Sequence, residues 1–257
     1  MDLGLNDKAF VIGGGSKGLG RGIAQVLVEE GARVLLVSRD EESLDRAVAE
    51  LGPAACAVAA DMAYPGTGEQ VANEVDAQFG GRLDGLVVNA GGPPAGKALQ
   101  LSDEQWQTSY QLLIGGPLRM LRALVPKMDQ GGAILFITST SVRQPIPNLD
   151  TSNVLRPGVA ALAKTLAREL APDIRVNSLA PGRFDTDRIR ALDAGRAETT
   201  GMTQEQVAAE SSKEIPFGRY GEPIEFGRFG AFLLSPAASY VSGLNAHIDG
   251  AMVTALP

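Results

Sequence analysis

The stretch KAFVIGGGSKGLGRGIAQVLVEEGA, residues 8–32, passes from an apolar run through a cluster of glycines into a longer amphipathic segment. The apolar run is typical of a buried β-strand over residues 8–14, and residues 18–32 have the apolar spacing of a helix. Glycines separate the two, as in a tight strand-to-helix turn. The chain is therefore predicted to begin with a strand–turn–helix unit.

The glycines of this turn include Gly14, Gly18 and Gly20. Glycine at such a turn allows the tight bend, the close approach of backbone to a pyrophosphate, and the close packing of helix on strand. Free N–H groups at the start of the helix would face the phosphates. The turn favours dinucleotide binding, although other strand-to-helix turns also use glycine.

The rest of the chain alternates short apolar runs with longer helical segments. Further strands are predicted over residues 33–39, 55–61, 83–92, 131–140, 174–182 and 244–250, and further helices over 40–52, 66–79, 102–128, 154–171, 187–214 and 222–235. Continuous apolar strands are typical of a parallel sheet covered on both faces. The pattern predicts an α/β fold, a Rossmann-type doubly wound parallel sheet of about seven strands. Because no linker or repeat interrupts it, residues 1–257 are predicted to form a single domain.

Composition narrows the range of partners. The net charge of −7 disfavours nucleic acid. We expect no membrane span and no signal peptide, because the apolar runs are short and the N-terminus lacks a basic region. The one cysteine, Cys56, suits a reducing cytoplasm. The one histidine, His247, has no neighbouring ligand residues, so no metal site is predicted.

Further motifs follow the glycine turn in a fixed order: Asp61 after the third strand, VVNAGG at 87–92, Ser139 at the end of the fifth strand, LAPGRFDT at 179–186 and HIDGA at 247–251. With the spacing G-x-x-x-G-x-G, they make the chain resemble the short-chain dehydrogenase/reductase family over essentially its whole length, and the 3-oxoacyl-[acyl-carrier-protein] reductase branch in particular. The resemblance implies reduction of a carbonyl by a nicotinamide dinucleotide, or the reverse. It also implies a homodimer or homotetramer, assembled through the long helix 102–128 and the next one.

The resemblance also implies which residues contact the cofactor: Gly14, Ser16, Lys17, Gly18, Leu19, Gly20, Arg39, Asp61, Met62, Asn89, Ala90, Gly91, Pro181, Gly182 and Thr186. Lys17 and Arg39 discriminate between the cofactors, because arginine at the end of the second strand suits the 2′-phosphate of NADP and an acidic residue suits NAD. NADP(H) is therefore predicted. Asp40, beside Arg39, keeps NAD(H) open, and both basic residues can also be ordinary surface charges.

The catalytic pattern departs from that of the family. The reaction of that family uses a tyrosine proton donor and a lysine in the pattern Y-x-x-x-K, with a serine that orients the carbonyl. No lysine lies four residues after any of the four tyrosines, Tyr64, Tyr110, Tyr220 and Tyr240. The family's interval of thirteen residues from Ser139 reaches Ser152, and the lysine position is then Arg156. Lys164 falls eight residues too late and is expected on a helix surface, while Leu113 takes the place of the family's helical asparagine.

Ser139, Ser152 and Arg156 are the predicted catalytic residues. An aliphatic hydroxyl is a weaker acid than a phenol, whose pKa is about 10. Arginine stays protonated, so Arg156 would stabilise an alkoxide while water supplies the proton. Losing general acid catalysis typically costs about 10² to 10⁴ in rate, which slows a reductase without forbidding it. Pro157 should delay the start of this helix or kink it near Asn153.

The alternative is a dinucleotide-binding protein without turnover, acting as a sensor or an assembly partner. The glycine turn and the motif at 179–186 serve both hypotheses equally, and only the altered catalytic positions separate them.

Arginines are expected on the substrate side of the site. Arg143 follows Ser139, and Arg183 and Arg188 flank the start of residues 187–214, the predicted substrate lid. With Arg156 they would suit a small anionic substrate, bound bidentately. Alternatively, they pair with the acidic residues nearby in the sequence, Asp150, Asp185 and Asp187.

Overall fold

The computed structural model describes residues 2–255, which contain one seven-stranded parallel sheet with the order β3-β2-β1-β4-β5-β6-β7. The strands are β1 (Ala9–Gly13), β2 (Arg33–Ser38), β3 (Ala55–Ala59), β4 (Leu83–Val88), β5 (Met128–Ile137), β6 (Ile174–Pro181) and β7 (Asn245–Ile248). Each neighbouring pair runs parallel. The predicted fold class, a doubly wound parallel sheet, is confirmed.

Nine α-helices connect the strands within the described residues. They are α1 (Gly18–Glu29), α2 (Glu41–Leu51), α3 (Thr67–Phe79), α4 (Asp103–Tyr110), α5 (Gly116–Leu124), α6 (Asp150–Glu169), α7 (Asp187–Thr200), α8 (Gln204–Lys213) and α9 (Pro223–Leu234). None of the helices in this part of the chain is long and apolar enough to cross a membrane.

Side chains on the strands alternate between two apolar layers. On β1, Phe10 and Ile12 join the core beneath α1, α2 and α9, whereas Val11 joins the core beneath α3, α5 and α6. All three are fully buried. Strands covered on both faces have no polar side, which is why they read as continuous apolar runs.

The strand order reverses between β1 and β4. The chain passes outward from β1 to β2 and β3, and then returns to start β4 on the other side of β1. At such a reversal the loops after the two strands diverge and leave a crevice at the carboxyl ends. The glycine turn follows β1 there, and Asn89 follows β4.

Helices α1 and α9 approach each other through glycines. A Cβ at Gly22 of α1 would lie 2.2 Å from the carbonyl oxygen of Pro223, and a Cβ at Gly227 of α9 would lie 2.2 Å from that of Gly22. Neither contact leaves room for a side chain. The two helices therefore pack backbone to backbone.

Several predicted boundaries differ from the observed ones. Strand β5 ends at Ile137, so Ser139 stands two residues beyond it and begins a short 3₁₀ turn. The predicted helix 102–128 is interrupted by a π-helical segment, Gln111–Gly115. The predicted lid 187–214 is helical but consists of α7 and α8, separated by a left-handed Gly201.

Of the two effects predicted for Pro157, a late start of its helix or a kink near Asn153, the late start is wrong. Helix α6 begins at Asp150, and the Asn153 N–H donates to the Leu149 carbonyl at 2.9 Å. The Asn153 side chain exchanges two 2.9 Å hydrogen bonds with the backbone of Ile146, and the Asp150 carboxylate accepts from the Ala98 N–H at 2.8 Å. These bonds hold the first turn against the preceding loops, so the helix forms despite the proline.

Pro157→Ala is expected to raise the free energy of unfolding by about 1–3 kcal/mol, because alanine supplies the N–H that proline lacks toward the Asn153 carbonyl. Urea denaturation followed by circular dichroism measures the change. A variant less stable than the parent would contradict this. It would show that other contacts compensate for the hydrogen bond that Pro157 cannot make to the Asn153 carbonyl. Ser152 and Arg156 lie next to Asn153 and Pro157, the two residues that the new hydrogen bond would join. Activity should therefore be measured on the same variant.

Candidate active site

A cleft of about 1020 Å³ runs along the carboxyl ends of the strands. Its walls come from the glycine turn, the ends of β2 and β3, the loop after β4, the end of β5, helix α6, and the segment from the end of β6 into α7. Volumes of this order are typical of ligand sites. The elements at the reversal point thus enclose one continuous site.

The glycine turn forms one end of the cleft. Gly14 is in the left-handed region with φ of 59°, and a Cβ at Gly20 would lie 2.3 Å from the Gly14 carbonyl oxygen. The Asn89 side-chain amide donates to the Gly13 carbonyl at 3.1 Å and links the turn to the loop after β4. With the N-terminus of α1 behind it, this cradle of bare backbone fits a pyrophosphate.

Basic side chains border the same end. Lys17 Nζ lies 3.0 Å from the Asp40 carboxylate, and an Arg39 guanidinium nitrogen lies 3.8 Å from that of Asp61. Hydrogen bonds from Ser43 and Lys17 lower the pKa of Asp40 to about 2. Asp40 also caps the N-terminus of α2 through the Ser43 N–H. Its carboxylate is therefore engaged with α2 and Lys17.

Three hydroxyls meet where β5 ends. Ser139 Oγ accepts from the Ser141 N–H at 3.1 Å, and the Ser141 and Ser152 hydroxyl oxygens lie within hydrogen-bonding distance at 3.3 Å. Ser141 and Ser152 are both buried, and Ser139 is partly exposed to the cleft. Among the described residues the Ser139 hydroxyl accepts a bond but donates none, so its proton is available to a ligand. Sequence reasoning missed Ser141, for which no motif gave a signal.

Arg156 lies one helical turn after Ser152 and is 8% exposed. It donates to the Ile137 carbonyl at 2.6 Å, while its Nε is buried without a hydrogen-bond partner. Burial and the positive charge of Arg188 lower the pKa of Arg156 to about 10. The guanidinium therefore remains protonated at neutral pH.

No phenol lies at the cleft among residues 2–255. None of the four tyrosines, all within the described residues, lines the cleft. Leu112, rather than the predicted Leu113, reaches the cleft from the π-helical segment, and Leu113 is buried in the core. Lys164 is exposed and donates to the Gly243 carbonyl, as expected of a surface lysine.

The predicted convergence of four arginines is only half right. Arg143 is exposed and does not line the cleft. Arg183 lines it but donates to Asp193 at 2.8 Å and to the Tyr220 oxygen at 3.2 Å. Arg188 lines it and donates to the Pro93 carbonyl at 3.0 Å. Arg156 and Arg188 are thus the two that face the cleft without an acidic partner.

The acidic partners proposed for these arginines were also wrong. Asp185 and Asp187 both pair with Arg190, and Asp150 binds backbone instead. The partner of Arg183 is Asp193, which lies nearly two turns beyond Asp187 on α7.

Most of the predicted site residues line the cleft together. Of the residues proposed to contact the cofactor, only Gly20 does not line the cleft, because it is buried against Gly14. Of the residues proposed to contact the substrate, only Arg143 does not line it. Ser139, Ser152 and Arg156 all line the cleft. The structure therefore brings the glycine turn, the hydroxyls and the two arginines into one site.

Comparison with known proteins shows the family to which the chain belongs. A family model described as Enoyl-(Acyl carrier protein) reductase matches residues 14–252. The 3-oxoacyl-[acyl-carrier-protein] reductase FabG of Vibrio cholerae is 30% identical over 253 residues, which cover 97% of this chain and 99% of the relative. The chain belongs to the short-chain dehydrogenase/reductase family.

Two solved structures have similar folds. The L-sorbose reductase of Gluconobacter frateurii, complexed with NADPH and L-sorbose, has a TM-score of 0.93 and 32% identity, with 100% of both chains covered. A short chain oxidoreductase from Pseudomonas aeruginosa PAO1, NADPH-bound and containing an atypical catalytic center, has a TM-score of 0.87 and 28% identity, with 98% of this chain and 100% of that chain covered. The prediction of a short-chain oxidoreductase is confirmed at the level of the family.

Proposed function

We propose that this short-chain dehydrogenase/reductase is an NADP(H)-dependent carbonyl reductase in which Ser139, Ser152 and Arg156 replace the usual catalytic set. The observation that carries the proposal is their common position: all three line the cleft that begins at the glycine turn. Two hydroxyls and one guanidinium are the groups that a carbonyl oxygen needs when negative charge develops on it.

Each residue has a distinct role in this proposal. Ser139 donates a hydrogen bond from its hydroxyl to the substrate carbonyl oxygen, while its own oxygen accepts from the Ser141 N–H. Ser152, supported by Ser141, holds the second lone pair of that oxygen. Arg156 stabilises the alkoxide, and water delivers the proton. Bound NADPH would supply the hydride.

Support for NADP(H) over NAD(H) comes from two sources. Lys17 and Arg39 line the cleft near the end of β2, where a 2′-phosphate would lie. Both solved neighbours described above contain NADPH. The second of these contains an atypical catalytic center, which is compatible with an altered site beside a bound NADPH.

NADPH oxidation at 340 nm, measured with the purified protein against acetoacetyl thioesters, diketones and keto acids, tests the proposal. Ser152→Ala is expected to lower kcat/KM by about 10- to 100-fold, as expected for removing one hydrogen bond to a developing charge. Thr165→Ala, on the exposed side of the same helix, is the matched control and should leave turnover unchanged.

The second candidate function is dinucleotide binding without catalysis. The absence of all four tyrosines from the cleft favours it. Tight NADPH binding, measured by fluorescence, with no turnover of any carbonyl in the panel would establish this function and overturn the reductase proposal. Turnover that Ser152→Ala leaves intact would instead mean that the hydroxyls do not act as proposed.

Arg39→Ala is expected to weaken NADPH binding by about 10- to 100-fold and NADH binding by less than about threefold, because only NADPH offers a phosphate to the guanidinium. Fluorescence titration with each cofactor measures the two affinities. Arg46→Ala, an exposed arginine on α2 paired with Glu42, serves as the control. An equal loss for both cofactors would contradict the role of Arg39 in selecting NADP.

The remaining predictions stand as parts of this proposal. We propose that α7 and α8 act as the substrate lid of a single domain, and that the protein is a homodimer or homotetramer that packs through α4–α5 and α6. Tyr110 and Val154 on these helices are 41% and 58% exposed, which supports a partner there. A cytoplasmic location is supported by the single cysteine. Light scattering after gel filtration measures the oligomeric state.

A further inference from the structure

Six cationic side chains line the cleft: Lys17, Arg39, Arg156, Arg183, Arg188 and Arg196. Four of them have a carboxylate within 4 Å, since Lys17 pairs with Asp40, Arg39 with Asp61, Arg183 with Asp193 and Arg196 with Glu210. Among residues 2–255, no carboxylate lies within that distance of Arg156 or Arg188. The positive charge in the cleft is therefore uncompensated at these two arginines.

Of these two arginines, Arg156 has the greater need of a ligand anion, because it is buried. A buried guanidinium loses its hydration, and carbonyl oxygens replace it only partly. Arg156 is more than nine-tenths buried, makes one hydrogen bond, to the Ile137 carbonyl, and leaves its Nε without a partner. A ligand anion would supply the missing charge.

Arg188 reaches the cleft from a different helix, α7. It stands in the first turn of α7, is exposed to the open cleft, and donates to the Pro93 carbonyl across the cleft. Its guanidinium lies directly over Gly92, where a Cβ would meet its central carbon at 2.7 Å. A side chain at residue 92 would displace the guanidinium from this position. Its positive charge is close enough to Arg156 to lower the pKa of that group.

The position of Arg156 next to Ser152 determines how far a bound anion would lie from the reacting carbonyl. Ser152 and Arg156 are four residues apart on α6, so their side chains lie on one face, roughly 6 Å apart at Cβ. The glycine turn, Lys17 and Arg39 already serve phosphates at the other end of the cleft. The anion that suits Arg156 and Arg188 therefore lies beside the reacting carbonyl.

From this we infer that the substrate is a short oxo acid whose carboxylate is one or two carbons from the reducible carbonyl, held between Arg156 and Arg188. The inference rests on the proposed reductase function. The reaction transfers a hydride from NADPH to the carbonyl carbon and a proton from water to its oxygen, which gives NADP⁺, hydroxide and a hydroxy acid.

Phenylglyoxylate and its methyl ester form a matched pair for the test, because they differ in charge and share the ketone. The acid is expected to have a kcat/KM at least about 30-fold higher than the ester, as a charge-assisted pair allows. Arg188→Gln should raise KM for the acid by about that factor and change the ester by less than threefold. Arg190→Gln, two residues on and paired with Asp185 and Asp187, is the control and should change neither.

A binding measurement separates this inference from the proposed function. With NADP⁺ in place of NADPH the acid binds without reacting, and calorimetry should show it binding at least about 30-fold more tightly than the ester, a difference that Arg188→Gln removes. Selective binding without any turnover would overturn the reductase proposal and leave the anion site in place. Equal binding of acid and ester, or a loss in Arg188→Gln that is the same for both, would overturn the inference.

Discussion

Arg156→Met is expected to lower kcat/KM by at least about 100-fold and to leave the free energy of unfolding unchanged or higher. The guanidinium is buried without a carboxylate and has one protein acceptor, so the folded state carries the cost of its desolvation. Methionine fills a similar volume without charge. Activity falls because Arg156 is the only charged group that the proposal assigns to the alkoxide, and the two hydroxyls remain without it. Steady-state kinetics and urea denaturation on the same preparation measure both effects.

Arg175 provides the matched comparison. It is equally buried, but it donates to the Leu233 carbonyl at 2.8 Å and the Ser235 carbonyl at 2.9 Å, at the C-terminus of α9. Arg175→Met should therefore destabilise the protein by about 3 kcal/mol, because charge-assisted bonds to the helix end are lost. If Arg156→Met lost as much stability as Arg175→Met, Arg156 would be a structural residue and its proposed role would be wrong.

Gly20→Ala is expected to weaken NADPH binding by at least about 100-fold and to destabilise the fold by about 2 kcal/mol, a cost typical of forced overpacking. The added Cβ would lie 2.3 Å from the oxygen and 2.9 Å from the carbon of the Gly14 carbonyl. Both are backbone atoms, so relief requires the turn itself to move. Fluorescence titration with NADPH and thermal denaturation measure the two effects.

Gly195→Ala on α7 is the control for this change. No atom lies within 4 Å of a Cβ at Gly195, so alanine should stabilise the helix by up to about 1 kcal/mol and leave NADPH affinity unchanged. NADPH binding by Gly20→Ala at the affinity of the parent would mean that the geometry of this turn does not govern binding.

The sheet could be predicted because its signals are local. Continuous apolar runs and a glycine cluster in the first strand–turn–helix unit suffice for a doubly wound sheet, and its topology follows from the usual connections. The start of α6 could not be predicted in this way. Pro157 is a local signal against a helix, whereas the bonds from Asn153 to Ile146 and from Asp150 to Ala98 that oppose it depend on loops folded back onto the helix.

The site was predictable to the extent that motifs mark it. Ser139, Ser152 and Arg156 were placed by spacing, and all three line the cleft. Charge partners were not predictable, because Arg183 binds Asp193 and Tyr220, ten and 37 residues away along the chain. Ser141 could not be found because its contact with Ser152 depends on how the loop after β5 folds against α6.

The backbone contact between α1 and α9 has a consequence for cooperativity. Helix α1 begins at the glycine turn, and α9 begins soon after α8 ends. Gly22 and Gly227 bring the two helix backbones into direct contact, so neither helix can move away at these positions without disturbing the other. Their amide hydrogens should therefore exchange as one unit, with a shared opening free energy. A ligand bound at the turn would then slow exchange in α9, on the far side of that interface.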